Sequence, residues 1–162
     1  MAMIQVIKCN YKMPEHVDAL VTLVNSYIDD KMGGGKPLSG REQANMVRGL
    51  KNHPKSIVLL ALYKSTYAGL LVAFEDFSTF TAHPMLYIHD VFVMKDFRGK
   101  GIGKRLMNVI IAEAEIRNCS RVTLEVRKDN FVAQNLYIDL GFDEAMPEMF
   151  YWRKILYCPP IK

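Results

Sequence analysis

The chain has 162 residues, 50% of them hydrophobic and 23% charged, with a formal net charge of +4. One sizeable core fits that length, and this composition excludes a disordered or fibrous chain. No apolar run approaches the ~20 residues that cross a bilayer, and so mild a charge sets aside the basic face of most nucleic-acid binders.

Met1 to Lys12 lacks the basic, apolar and small-residue segments of a signal peptide. We therefore expect a cytoplasmic protein, a single domain over 1–162, with neither membrane nor nucleic acid as partner. Ile4 to Ile7 reads as a short first strand. Pro14 suits a helix start, and Val17, Leu20, Val21, Val24 and Ile28 recur at helical spacing. That helix ends near Asp30 or Lys31, because Met32-Gly33-Gly34-Gly35-Lys36-Pro37 cannot continue it. Ser39 is placed to cap a second helix over Arg41 to Leu50, closed by His53-Pro54.

The period then changes. Ile57 to Tyr63 and Ala68 to Phe74 are strand-length apolar runs around Lys64-Ser65-Thr66, a hairpin pattern. Phe77 to Pro84 reads as a loop or irregular extension, and Met85 to Val93 as another strand. Helical spacing returns over Ile102 to Arg117, with Glu113 and Arg117 as an i,i+4 pair. Arg121 to Arg127 alternates as a strand does. A helix over Phe131 to Leu140 stops at Gly141, and Phe150 to Leu156 reads as a last strand. The order βαα-βββ-αβ-αβ is that of an α/β domain with helices covering a mixed sheet.

Cys9, Cys119 and Cys158 are widely spaced, form no CxxC pair, and have no neighbour that would activate a thiol. His16, His53, His83 and His89 lack metal-ligand spacing, so no metal is expected. The basic residues cluster in one place: Lys95, Arg98, Lys100, Lys104 and Arg105. There a strand runs into Arg98-Gly99-Lys100-Gly101-Ile102-Gly103 and on into an amphipathic helix. Glycine admits positive φ and close ligand approach. The first N–H groups of the helix have no intrahelical partner, and its dipole favours negative charge. Such a turn can cradle a phosphate; it can also be a tight corner and nothing more. Gly99 is not followed five residues on by glycine, and Lys104 is followed by Arg105 rather than Ser or Thr, so the Walker pattern fails. The dinucleotide fingerprint also lacks its last glycine.

Arg98 to Gly103 resembles the R-x-x-G-x-G/A signature of the GNAT N-acetyltransferase superfamily. Asn130-Phe131-Val132-Ala133-Gln134-Asn135-Leu136-Tyr137-Ile138-Asp139-Leu140-Gly141-Phe142 resembles its second signature, N-x-x-A-x-x-L-Y-x-x-x-G-F, at every specified position. The motif spacing is nearest the diamine-acetyltransferase-like branch, and the resemblance covers Tyr87 to Phe142. It implies a mixed, mostly antiparallel sheet with helices on both faces. Two splayed strands, Met85–Val93 and Arg121–Arg127, would form the cleft for acetyl-CoA. Main-chain groups of Val91, Phe92 and Val93 would pair with the pantetheine arm. The amides of Gly99, Lys100, Gly101, Ile102, Gly103 and Lys104 would cradle the pyrophosphate, with Arg98 supplying charge. Asn130 and Ala133 would lie on the cofactor side, and Tyr137 would be the general acid. A tyrosine packed in the core is the other reading of Tyr137.

In several branches a glutamate stands nine residues before the signature arginine; here that position is His89. Imidazole can take a proton near neutral pH, and it can equally line a pocket; Glu125 and Asp90 are the other candidates for the base. The acceptor pocket would lie near Gly33–Gly35. Arg127 and Lys128 would disfavour a polycationic acceptor. The activity implied is acetylation of a primary amine on a small molecule or peptide. The alternative is an acyl-CoA-binding sensor without turnover. The run Met149-Phe150-Tyr151-Trp152, with the family's habit of dimerising, leads us to expect a homodimer; the same run can equally be core.

Overall fold

The computed structural model describes residues 3–156. The chain divides into two compact units, Met1–Asn130 and Phe131–Lys162.

The first unit is built on one five-stranded sheet in the order β1 (Ile4–Lys8), β2 (Ser56–Tyr63), β3 (Thr66–Ser78), β4 (His83–Val93), β5 (Val122–Leu124). The first four strands pair antiparallel and β4 pairs β5 in parallel. Helices α1 (Pro14–Asp29) and α2 (Gly40–Asn52) lie between β1 and β2, and α3 (Ile102–Ile116) between β4 and β5. No helix among the described residues is long and apolar enough to cross a membrane. The mixed, mostly antiparallel α/β fold is as the sequence implied.

Both faces of the sheet are covered, which explains why residues 57–63 of β2 and 67–74 of β3 run apolar rather than alternating. Val58, Leu60, Leu70, Val72 and Phe92 pack with Ala19, Leu20 and Leu23 of α1. The alternate residues face α3: a Cβ added at Gly69 would meet Ile102 Cγ2 at 2.8 Å, Leu106 Cδ1 at 3.1 Å and Ala61 Cβ at 3.3 Å. Leu60, Leu70, Leu71, Leu86, Leu106 and Ile110 are fully buried, and each such side chain contributes roughly 1.5–3 kcal/mol relative to exposure. The close approach at Gly69, which pairs with Val93, seats the first turn of α3 directly on the sheet. The turn between β4 and α3 is thus held at both ends.

A charged chain ties α3 across to the strands. Arg117 bonds Glu113 at 2.7 Å, the expected i,i+4 pair, and also Glu75 at 2.6 Å. Lys8 meets Glu113 at 2.9 Å, and Lys55 pairs with Glu75. At the start of α2 the Glu42 carboxylate accepts from the Ser39 amide and hydroxyl, each at 2.7 Å, so Ser39 opens the helix as expected.

Three expectations need correction. Phe77 to Pro84 is half strand: Phe77 pairs with Pro84 and Ser78 with His83, and residues 79–82 make the turn. Backbone pairing extends the ladder through residues whose side chains carry no hydrophobic period. The strand expected over Arg121–Arg127 shrinks to Val122–Leu124, ending where its pairing with β4 ends. The last strand, expected over Phe150–Leu156, is not formed. Its residues are of strand-forming type, but a strand exists only through a ladder partner, and none is present among the described residues of the second unit.

That second unit contains α4 (Phe131–Asp139). Its end is fully accounted for. Gly141 takes φ +85°, its N–H donates to Ile138 O at 3.0 Å, and the Phe142 N–H donates to Tyr137 O at 3.0 Å. The rings of Tyr137 and Phe142 lie 5.9 Å apart. This is a Schellman stop with its hydrophobic contact. It gives a structural reason for the glycine and both aromatic residues of the second motif.

Candidate functional site

β4 is paired to β5 only through Leu86↔Val122, Tyr87↔Thr123 and Ile88↔Leu124. Beyond that point His89 to Val93 keeps β3 on one side, and on the other side the ladder has ended. The ladder ends because β5 itself stops at Leu124. The register against β3 also shifts here: Val72 pairs with Asp90 and Ala73 with Ile88, leaving His89 as an extra residue. A bulge of this kind bends a strand and re-aims a side chain.

After Val93 the chain makes a short 3-10 turn, Lys95–Phe97, then Gly99 at φ +73° and Gly101 at φ +82°. Gly101 is the residue before α3, in left-handed conformation with no side-chain cap. A Cβ at Gly99 would meet nothing within 4 Å, and one at Gly101 only Ile4 Cδ1 at 3.9 Å. The glycines are therefore required by backbone conformation and not by crowding. The concave side of the turn is open. Among the described residues, no bonded partner is found for the amides of Ile102, Gly103 and Lys104, and the first bond of the helix is Arg105 N to Gly101 O at 3.0 Å. An open edge of strand followed by an open ring of donors suits a long ligand with an amide-bearing arm and a phosphorylated end.

The flanking cations divide into two kinds. Arg98 Nε donates to Val93 O at 3.0 Å, Arg98 Nη2 donates to Asp30 Oδ2 at 2.7 Å, and its guanidinium stands 5.8 Å over the Phe92 ring. Lys100 Nζ donates to Asp96 O at 3.1 Å and lies 6.0 Å over Tyr63. These two shape the turn. Lys104 has no side-chain partner among the described residues, and it sits in the first turn of α3.

Asp30 is a residue that sequence reasoning missed. It caps the end of α1, where the dipole disfavours an acid, and that misplacement was the available signal that it needs a partner. Its carboxyl is held below the usual range chiefly by the Met32 amide; burial opposes this, and the hydrogen bond and charge of Arg98 add to the lowering. Asp30 and Arg98 thereby tie the end of α1 to the turn before α3.

The acceptor-side candidates cluster on the face covered by α1. The His89 ring stands edge-on to Phe74 and Tyr87, each at 6.0 Å. His89 Nδ1 lies 3.2 Å from Asp90 Oδ2. The hydrogen bond that the imidazole donates to Asp90 raises its pKa above the ordinary value; partial burial opposes this, and the charges of Asp90 and Glu125 add to it. Tyr27 of α1 stacks on Phe92 at 5.4 Å. Arg127 makes a two-pronged pair with Asp129, at 2.9 and 2.8 Å. Its charge is therefore matched locally.

Cys9 is pushed up to about 11 by burial and Cys119 is also raised, so neither supplies a thiolate near neutral pH. Cys158 lies outside the described residues. No cluster of three or more metal-binding side chains occurs among the described residues.

The sequence pattern of the Acetyltransferase (GNAT) family matches residues 20–142. The chain belongs to the GNAT acetyltransferase family. An uncharacterized N-acetyltransferase of Bacillus subtilis (strain 168) is 28% identical over 95 residues, which are 59% of this chain and 63% of the relative. A probable spermine N(1)-acetyltransferase of Bacillus subtilis subsp. natto is 30% identical over 83 residues, 47% of this chain and 55% of the relative. The chain thus spans less than two thirds of the length of either. A solved structure of a probable acetyltransferase has the same fold, with a TM-score of 0.81 at 21% identity, covering 94% of this chain and 99% of that one. The GNAT match runs through both signatures and across the boundary between the two units.

Proposed function

We propose that this GNAT chain moves an acetyl group from acetyl-CoA to a primary amine of a small molecule or peptide, in the cytoplasm, by direct attack in a ternary complex. One observation carries the reading: the stretch His89–Val93, laddered to β3 on one edge and past the end of the β5 ladder on the other, leads into a left-handed glycine turn whose helix amides are uncommitted.

The residues present suit acetyl-CoA. Val91, Phe92 and Val93 offer main-chain groups to the pantetheine arm, although the Val93 carbonyl already accepts from Arg98. Gly99 to Lys104 offer amides to the pyrophosphate, and Lys104 adds the available charge. Arg98 serves by holding the turn. Asn130 and Ala133 complete the cofactor side. The bound thioester supplies an already activated acyl carbon. What remains for the chain is to position the amine, remove its proton, and protonate the leaving thiolate. In our reading His89 accepts the proton and Tyr137 donates one. A phenol with a pKa of about 10 is a fitting donor to a thiolate. The family match through residue 142 supports the two units acting as one domain over 1–162.

The test is release of free CoA from acetyl-CoA across a panel of amines, with spermine included because a relative carries that name. Turnover with at least one amine is expected. Tight acetyl-CoA binding without any CoA release would favour the alternative, an acyl-CoA sensor. We further propose a homodimer, supported by the apolar run Met149–Trp152. Light scattering at working concentration should give twice the chain mass, and a monomer mass would end that proposal.

A further inference from the structure

Consecutive residues of a regular strand point to opposite faces of the sheet, so their side chains do not bond each other. His89 and Asp90 are consecutive, yet their side chains meet at 3.2 Å. The bulge makes this contact available, because His89 is the residue that β3 leaves unpaired. Phe74 and Tyr87 flank the imidazole edge-on, at interplanar angles of 82° and 90°. The ring is therefore held by two aromatic neighbours and one carboxylate. A carboxylate only accepts hydrogen bonds, and a neutral imidazole has one donor nitrogen and one acceptor.

We infer that Asp90 is a positioning residue for His89: it keeps the proton on Nδ1 and leaves Nε2 as the nitrogen that takes the proton from the substrate amine. The inference rests on the reading of His89 as the base. In the step, the ammonium N–H bond breaks, its proton moves to Nε2, and the electron pair stays on nitrogen as the attacking lone pair. The imidazolium so formed keeps its Nδ1–H bond to Asp90 and later returns the Nε2 proton to water. Other titratable groups surround the pair. Tyr87 lies beside the ring on β4, and Glu125 adds negative charge from just beyond β5. On α1, Tyr27 feels Asp90 and Asp30. At the end of α2, His53 packs at 4.9 Å on the same Phe74. The negative charge nearest the ring is that of Asp90 and Glu125, so the imidazole titrates above an ordinary histidine.

The sign follows. A base with a raised pKa is protonated and idle until the pH passes that value, so the rising limb of kcat/KM should lie above the ordinary histidine range. Asp90→Asn removes the anion and the tautomer lock together. Nitrogen-15 NMR of the imidazole should show Nδ1–H in the neutral form of the wild type and a shift toward Nε2–H in the variant. The pKa and the kinetic limb should both fall, and kcat/KM should drop about tenfold or more, with acetyl-CoA affinity unchanged. Asp90→Glu should restore part of each. Identical imidazole spectra in wild type and Asp90→Asn would overturn the inference. His89→Gln separates it from the reading beneath it. If His89→Gln leaves rate and limb unchanged, the base reading fails and this inference falls with it. If His89→Gln costs rate while Asp90→Asn moves no limb, the base stands and the role of Asp90 alone is rejected.

Discussion

Two glycine-rich turns flank helices in the first unit, and they differ in what their amides do. Gly33–Gly35 follows α1, and its N–H groups are spent: Gly33 and Gly34 donate to Asp30 O at 2.9 Å, and Gly35 donates to Ile28 O at 2.9 Å. A Cβ at Gly33 would stand 2.0 Å from Tyr27 O, so glycine is there because the chain folds back onto its own helix. Gly99–Gly103 precedes α3, with open space at Gly99 and Gly101 and uncommitted amides in the first turn. A glycine run at a helix C-terminus satisfies carbonyls; one at an N-terminus leaves donors exposed. Composition alone makes the two look alike, and the polarity of the helix leaves donors open at only one of them.

The sharpest way to break this comparison is Gly101→Val. A branched side chain at φ +82° costs about 1–3 kcal/mol of strain, and it also projects into the open cradle. Acetyl-CoA binding should be lost while circular dichroism shows a folded protein. Calorimetry returning the wild-type affinity would show that the turn is only a corner. Next in size is Tyr137→Phe, which separates chemistry from binding. It keeps the ring that packs on Phe142 and removes the hydroxyl, so kcat should fall ~10²–10⁴-fold with cofactor affinity kept. A loss under about tenfold would leave Tyr137 as part of the helix stop alone. The smallest effect on cofactor binding is expected from Gly33→Ala. The added methyl forces the backbone off Tyr27 O, lowering stability by roughly 1–3 kcal/mol in denaturant titration. Acetyl-CoA affinity should not change. If affinity falls as steeply as for Gly101→Val, the two turns are not distinct in function.

The elements with strong local signals were readable in advance. The extent of α1, the capping of α2 by Ser39, the hairpin of β2 and β3 and the stop at Gly141 each rest on neighbours within a few residues. The buried face of α1 does not, for His16, Ala19, Leu20 and Leu23 turn inward, and of Val17, Leu20, Val21, Val24 and Ile28 only Leu20 is buried. The strand expected at Phe150–Leu156 failed for the opposite reason, since a ladder needs a partner far away in the chain. The same limit hid the extension of β3 to Ser78, which exists through its register with His83.

Of the site, the sequence by itself determined the glycine turn, the helix behind it and the identity of both signatures, because these are contiguous and their conformations follow from local chemistry. Only the tertiary structure decided that Arg98 and Lys100 are already engaged, that Asp30 holds the turn, and that Arg127 is matched by Asp129. It also decided that β4 bulges at His89, which brings His89 and Asp90 to one side of the sheet. Pairing between strands sets that register, and the chain order of His89 and Asp90 alone would place them on opposite faces.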